Sequence, residues 1–486
     1  MKVLIAAAEV SPFAKVGGLA DAIAGLAKAL SDLGLDVRII VPRYGSLERA
    51  GQLTPCADLG TIPLEVYPFR ATLLEARLPE SRVPVYFVEN SDFFARAGIY
   101  SDPHTGRDFP DNFQRFLFFT KAVLQACRHL RWIPNLIHCN DSQTGLIPAY
   151  LKLGDASGSA SFDRTASLFT IHNLFYQSRC DPDLYNLTDL PRDQAYPDGP
   201  FRSGTDLNPM KAGILFADVI TTVSPTYAGE IQNEGSSHEL EGALKSRRDN
   251  LYGVLNGIDA DEWNPATDPW IPARYNSARG LGKSKSKMEL QRFSGLPVNE
   301  RIPLIGMVTR LVEQKGIDLL VESAAELSTL DLQVVLLGTG DPLYRELLRL
   351  PAGAHKDRFS FHFVFDGRLA HWIVAGSDMF LMPSRYEPCG LSQMYSLRYG
   401  TIPIVRQTGG LADTIRDCHQ SPDGNGFKFH TYSSREMIET IKRALWAFAN
   451  QAEWHRIMRR AMREDFSWRR SAVRYRELYQ LACKKR

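Results

Sequence analysis

Little in this 486-residue chain points to a disulfide scaffold, a metal centre or a membrane. The seven cysteines are scattered, odd in number and contain no Cys-x-x-Cys pair, which argues against a disulfide framework or a zinc knuckle and fits a reducing cytoplasm. Eleven histidines show no His-Glu-x-x-His or comparable spacing, so no tightly bound metal and no cofactor are expected. A membrane helix needs about 18 uninterrupted apolar residues; the apolar run after Lys2 is cut at Glu9, and no secretory leader is expected. Net charge is only +2, which gives no reason to expect a nucleic-acid or anionic-membrane partner. The basic runs Lys283-Ser284-Lys285-Ser286-Lys287 and Lys484-Lys485-Arg486 read as solvated linker and tail.

What is present is a globular α/β composition, 44% hydrophobic and 23% charged, too long for one core at about 150 residues per domain. Short β-branched runs at 2–7, 37–41, 83–88, 136–139, 167–170 and 219–223 alternate with helical patterns, as parallel βαβ units require. After a Pro-, Trp- and Lys-containing connection at 264–287 a second series begins, at 304–308, 332–337, 359–364, 379–382 and 401–405. Two Rossmann-like, doubly wound domains are therefore expected, 1–253 and 254–465, with a helix from 466 to 486 returning onto the first. Such domains bind ligands at the carboxyl ends of their strands, and a facing pair would enclose a deep cleft.

Each domain carries a glycine pair after a strand. Lys15 precedes Gly17-Gly18-Leu19-Ala20-Asp21, and Gly409-Gly410-Leu411-Ala412-Asp413 repeats that pattern after residues 401–405. A glycine turn opening a helix offers unpaired N–H groups and partial positive charge to phosphate, and Lys15 adds a full charge. The bland reading of either loop is a structural turn. In the second domain Arg310 and Lys315 flank a loop that ends at Gly316, which suits a diphosphate clamp; the alternative is an ion pair with Glu313. Glu387 stands before Pro388-Cys389-Gly390-Leu391-Ser392, where amides at a helix start can hold phosphate while the carboxylate reaches sugar hydroxyls. Cys389 has no histidine near it in sequence and reads as packing rather than nucleophile. Asn140-Asp141-Ser142 and His172-Asn173 deliver polar groups directly after strands, although a lone histidine is as often structural.

In these segments, taken in order and spacing, the chain resembles the bacterial glycogen synthase and plant starch synthase family over essentially its whole length. The resemblance rests on Lys15 to Asp21, Thr170 to Asn173, Val254 to Asp259, Thr309 to Gly316, Pro383 to Leu391 and Thr408 to Thr414. It implies the GT-B architecture and retaining transfer of glucose from ADP-glucose to the non-reducing end of an α-1,4-glucan, with no required metal. It also implies that Lys15, Arg310 and Lys315 neutralise the diphosphate, that Glu387 and His172 hold the glucosyl ring, and that Asp141 lies on the acceptor side. Gly17, Gly18, Asp21, Phe365, Cys389, Gly390, Leu391 and Ser392 complete the expected donor set.

Four positions depart from the family pattern or sit at its variable points. Ser142 stands where tryptophan is usual. Phe365 takes the place of the aromatic that covers the nucleotide base, with Gly367 where an acid is usual. Tyr395 occupies the second position of the glutamate-x7-acid signature. Stacking survives the Phe365 exchange but a phenolic hydrogen bond does not. Competing expectations are a related transferase using UDP-glucose or a short oligosaccharide, and a glucan-binding paralogue without turnover; a pyridoxal-dependent phosphorylase is disfavoured.

Overall fold

The computed structural model describes residues 1–45, 47, 53–64, 67–154, 160–236, 238–277 and 281–486. Contacts divide the chain into a first unit, Met1–Gly257 with Trp468–Arg486, and a second, Ile258–Ser467.

The first unit contains β1 (Lys2–Ala6), β2 (Asp36–Pro42), β3 (Thr54–Leu64), β4 (Tyr67–Arg77), β5 (Pro84–Glu89), β6 (Leu136–Asn140), β7 (Ala166–Ile171), a small ribbon of β8 (Arg202–Ser203) and β9 (Asp206–Leu207), β10 (Val219–Thr222) and β11 (Leu251–Gly253). Among the described residues they form a nine-stranded sheet in the order β11-β10-β7-β6-β1-β2-β5-β4-β3 beside the ribbon. Neighbours are parallel from β11 to β5, and β4 and β3 are antiparallel additions. Strand β1 shows why the sheet is covered on both faces. Val3 and Ile5 join one core layer with Ile23, Leu26 and Leu30, while Leu4 and Ala6 join the other with Phe118 and Phe119. Alternate side chains point to opposite faces, so a strand apolar at every position from Val3 to Ala6 belongs in the middle.

The helix Trp468–Lys485 completes the first of these layers with Trp468, Tyr475, Leu478 and Tyr479, each contributing roughly 2 kcal/mol by burial. The Tyr479 hydroxyl lies 2.8 Å from Nδ1 of His138, whose Nε2 is 2.6 Å from Thr170 Oγ1. Burial pushes His138 down to about 3, so the ring is a neutral bridge at ordinary pH.

The hairpin β3–β4 had no counterpart among the expected strands. Its strands carry Pro55, Pro63 and Pro68 and its register shifts around Ala57 and Gly60. Proline cannot donate to a ladder, so such segments survive at a sheet edge, where β3 lies.

In the second unit β12 (Leu304–Val308), β13 (Gln333–Leu337), β14 (Phe359–His362), β15 (Met379–Met382), β16 (Ile402–Arg406) and β17 (Phe427–Phe429) form, among the described residues, a six-stranded parallel sheet in the order β14-β13-β12-β15-β16-β17.

Of the connection expected at 264–287, residues 278–280 lie outside the described residues. The lysine run within it is not a solvated linker, because it lies in the helix Leu281–Phe293 with Lys283 and Lys287 buried. Four residues apart, the two ammonium groups share a face. Lys287 pairs with Asp378 at 2.6 Å. Lys283 donates to the carbonyls of Ala375 and Tyr399, at the ends of the helices Gly367–Gly376 and Ser392–Arg398, and to Thr401 Oγ1. Two helix carboxyl ends, each partly negative, explain a buried lysine here. Burial nonetheless lowers its pKa to about 7. No described helix is long and apolar enough to cross a membrane.

Candidate active site

In the first unit the expected residues gather where β1, β6 and β7 end. After β1 the chain turns through Glu9 and Lys15 into the helix Gly18–Asp32. Lys15 Nζ pairs with Asp21 Oδ1 at 2.7 Å, and both side chains keep partial exposure. Asp21, expected among the donor-binding groups, thus holds the lysine. Gly17 is extended, exposed and has open space where a side chain would begin. Its N–H is not free for phosphate, however. Glu9 Oε2 accepts from Val16 N at 2.6 Å and Gly17 N at 3.1 Å, and Glu9 Oε1 accepts from the Tyr100 hydroxyl at 2.7 Å.

Asp141, directly after β6, has a left-handed φ of 56°. Its Oδ1 accepts from His172 N, the residue after β7, at 2.7 Å. The side chain of buried Asn140 donates through Nδ2 to the carbonyls of Ala6 and His138. Its Oδ1 is therefore turned to His172 Nε2, 2.9 Å away. Nε2 carries the proton in that contact, and Nδ1 is left as an acceptor. Burial pushes His172 down to about 3 and Asp141 up to about 7. A neutral imidazole and a carboxyl near its titration point suit hydroxyl recognition better than charge pairing. Ser142 is buried, with its Oγ bonded to Tyr176 O and beside Ser178 Oγ; the position that could carry a tryptophan is occupied by a small local network.

In the second unit Lys315 and Glu387 meet directly. Lys315 Nζ is 2.9 and 2.7 Å from the two carboxylate oxygens, and Ser384 Oγ donates to Glu387 Oε2 at 3.0 Å. Gly316 makes this approach possible: at φ 71° it lies so close to Pro383 O that a Cβ would come within 2.2 Å. Arg310 Nη2 is 3.4 Å from Gln314 Oε1. Glu313, the expected alternative partner of the two cations, pairs instead with Arg385 at 3.0 Å. Each cation of the expected clamp thus has a side-chain partner of its own.

The two look-alike glycine pairs do different work. A Cβ on Gly409 would lie 2.0 Å from Glu387 O, and one on Gly410 2.0 Å from Cys389 O. Gly410 N also donates to the carbonyls of Glu387 and Pro388. The second pair is therefore a backbone support under the Glu387 turn, the structural reading of that motif, whereas Gly17 of the first faces open space.

Gly390 has φ 70°, Cys389 is buried, and Gln393 Nε2 donates to the carbonyls of both. The turn presents Gly390, Leu391 and Ser392, all partly exposed, at the start of the helix Ser392–Arg398. Phe365 is 92% exposed, just ahead of the helix Gly367–Gly376 that Asp366 caps through Leu369 N. Tyr395 lies against Trp263 at 3.9 Å between ring centres, and the other face of that indole covers His371 at 3.9 Å. Among the described residues no three His, Cys, Asp or Glu side chains gather to hold a metal.

Glu9, Ser384 and Trp263 were not singled out from the sequence, and Asn140 was named only as one of the polar groups that follow a strand. For Glu9 a signal existed: a carboxylate interrupting an apolar strand exit six residues before Lys15 has to be satisfied by nearby N–H groups.

Comparison with known proteins identifies the family. Residues 2–246 match the family model described as starch synthase catalytic domain, and residues 289–460 match glycosyl transferases group 1. The chain is 45% identical over 485 residues to "Glycogen synthase 2" of Geobacter sulfurreducens, covering 99% of each. It is 43% identical over 492 residues to "Glycogen synthase" of Thermotoga maritima, covering 100% of this chain and 99% of that one. Among solved structures, the catalytic domain of Starch Synthase IV from Arabidopsis thaliana bound to ADP and acarbose superposes with a TM-score of 0.90 at 34% identity, covering 99% of both chains. With its α/β units, its Lys15 and Lys315–Glu387 segments and this full-length likeness, the chain belongs to the glycogen and starch synthase family and is a glucosyltransferase of the two-domain GT-B fold.

Proposed function

We propose that this glucosyltransferase moves glucose from ADP-glucose to the non-reducing end of an α-1,4-glucan with retention of configuration, in the cytoplasm, where its seven free thiols stay reduced. The observation that carries the reading is the Lys315–Glu387 contact beside the Gly390–Ser392 turn. It brings a cation for a diphosphate and a carboxylate for a sugar to one place. The ADP held by the Arabidopsis relative supports the choice of nucleotide, and its acarbose supports a glucan acceptor.

In this reading Lys15, Arg310 and Lys315 neutralise charge that grows on the diphosphate as the bond from the anomeric carbon to the phosphate oxygen breaks. Glu387 and His172 hold glucosyl hydroxyls, and Asp141 serves the acceptor side. Gly18 and the Gly390-Leu391-Ser392 turn supply backbone donors, while Phe365 covers the base. The acceptor hydroxyl attacks from the face the diphosphate leaves, and its proton passes to the departing phosphate oxygen. No side chain then has to form a covalent glucosyl intermediate.

Incubation with radiolabelled ADP-glucose and glycogen, followed by digestion specific for α-1,4 bonds, tests the reaction. Label in the glucan that such digestion releases is the expected result. Preference for UDP-glucose in direct competition would overturn the donor assignment, and a glucosyl adduct trapped on the protein would overturn the mechanism.

A further inference from the structure

We propose that Glu9 is a positioning residue for the donor: its buried carboxylate binds the loop amides that an anion would otherwise take and so fixes the stem from which Lys15 reaches the diphosphate. This rests on the donor role of Lys15 given above.

Glu9 is 3% exposed, an unusual place for a carboxylate unless its oxygens are satisfied. They are, on both sides. Oε2 takes the N–H groups of Val16 and Gly17 at 2.6 and 3.1 Å, and Oε1 takes the Tyr100 hydroxyl at 2.7 Å. Tyr100 is itself held, since its carbonyl accepts from Asn112 Nδ2 and from Phe109 N. On the other side of Lys15, Ala14 and Val10 exchange both backbone hydrogen bonds, at 2.8 and 3.0 Å. The backbone of Lys15 is thus bracketed between two fixed points, residue 14 and residue 16. Only its side chain is left to move, from its present partner Asp21 toward a ligand. Two charge-assisted hydrogen bonds to one carboxylate oxygen are strong enough to hold a loop that glycine would otherwise loosen. A glycine loop before a helix ordinarily invites phosphate oxygens onto its N–H groups. Here an internal anion already sits on those of Val16 and Gly17, so the lysine charge rather than these two amides is what this part of the loop offers a diphosphate.

The test is a mutant cycle in the full-length protein with E9A, E9Q, K15A and the double variants, varying ADP-glucose and glycogen separately. K15A and E9A are each expected to raise KM for ADP-glucose about tenfold while KM for glycogen stays within about twofold. E9Q keeps one oxygen for the Val16 and Gly17 amides and should recover part of the loss. E9A added to K15A should cost nothing further, because both act through one group. Unchanged donor KM in E9A, with K15A impaired, would overturn the Glu9 role and leave the donor reading standing. Unchanged donor KM in K15A would overturn both. Losses that multiply in the double variant would show that Glu9 acts by some other route. If E9A does not fold, E9Q with and without K15A decides by the same comparisons.

Discussion

Lys315 and Glu387, 72 positions apart in sequence, form a two-oxygen ion pair in which the carboxylate is almost fully buried and the ammonium partly so. The pair couples the loop after β12 to the loop after β15, and neither residue can be altered without leaving a charge behind.

Removing one partner should therefore cost more than its share of the contact. Lys315→Ala or Glu387→Ala is expected to lower stability by about 3 kcal/mol, while Lys315→Met combined with Glu387→Gln recovers most of it. Thermal melts check this. Turnover should fall steeply in all three, with ADP affinity largely kept in Glu387→Ala; wild-type rates in that variant would remove Glu387 from the reaction.

Gly410→Ala places a methyl 2.0 Å from the carbonyl oxygen of Cys389. The neighbour is backbone and cannot swing away, so a loss of about 2 kcal/mol is expected together with reduced turnover as the Glu387 turn shifts. Gly17→Ala meets open space in an extended conformation and should cost less than about 1 kcal/mol. Equal effects in chemical denaturation would contradict the different roles of the two pairs.

Asp141 has a pKa of about 7 in the folded protein, above its ordinary value of about 4 in an unfolded chain. The native state binds that proton more tightly, so the stability contributed by this group is full below about pH 4 and is lost as pH rises through 7. Asp141→Asn keeps an oxygen for His172 N and does not titrate. Its melting temperature relative to the wild type should climb steadily between about pH 4.5 and 8. A flat difference across that range would mean that the carboxyl is not desolvated.

Phe365 is nearly all in solvent and contributes little to packing. Phe365→Ala should leave the melting temperature unchanged and raise KM for ADP-glucose by about fivefold or more, as loss of a base-stacking ring does. A melting shift without a kinetic change would reverse that assignment.

Much of the fold was legible because its elements are locally encoded. Parallel strands buried on both faces are largely apolar, and β1, β12, β13 and β15 stand out for that reason, while β6 and β7 keep enough apolar residues around His138, Asn140, Ser167 and Thr170 to be read the same way. The β3–β4 hairpin was not legible, since an edge ribbon half open to water and broken by prolines has no such run. The burial of Lys283 was hidden for a different reason. The carbonyls of Ala375 and Tyr399 that hold it lie 92 and 116 residues away, and nothing nearby in the chain distinguishes it from a solvated lysine.

The sequence by itself determined the alternation of strands and helices, the strand-end loops carrying Lys15, Asp141, His172, Arg310, Lys315 and Glu387, and the family they resemble, because strand periodicity and short motifs are local properties of a chain. Only the tertiary structure decided which polar groups satisfy one another: Glu9 on the amides of Val16 and Gly17, Lys315 on Glu387, Gly409 and Gly410 under the Glu387 turn. Those pairings follow from burial, which obliges each charge and each N–H removed from water to find a partner wherever the fold brings one within reach.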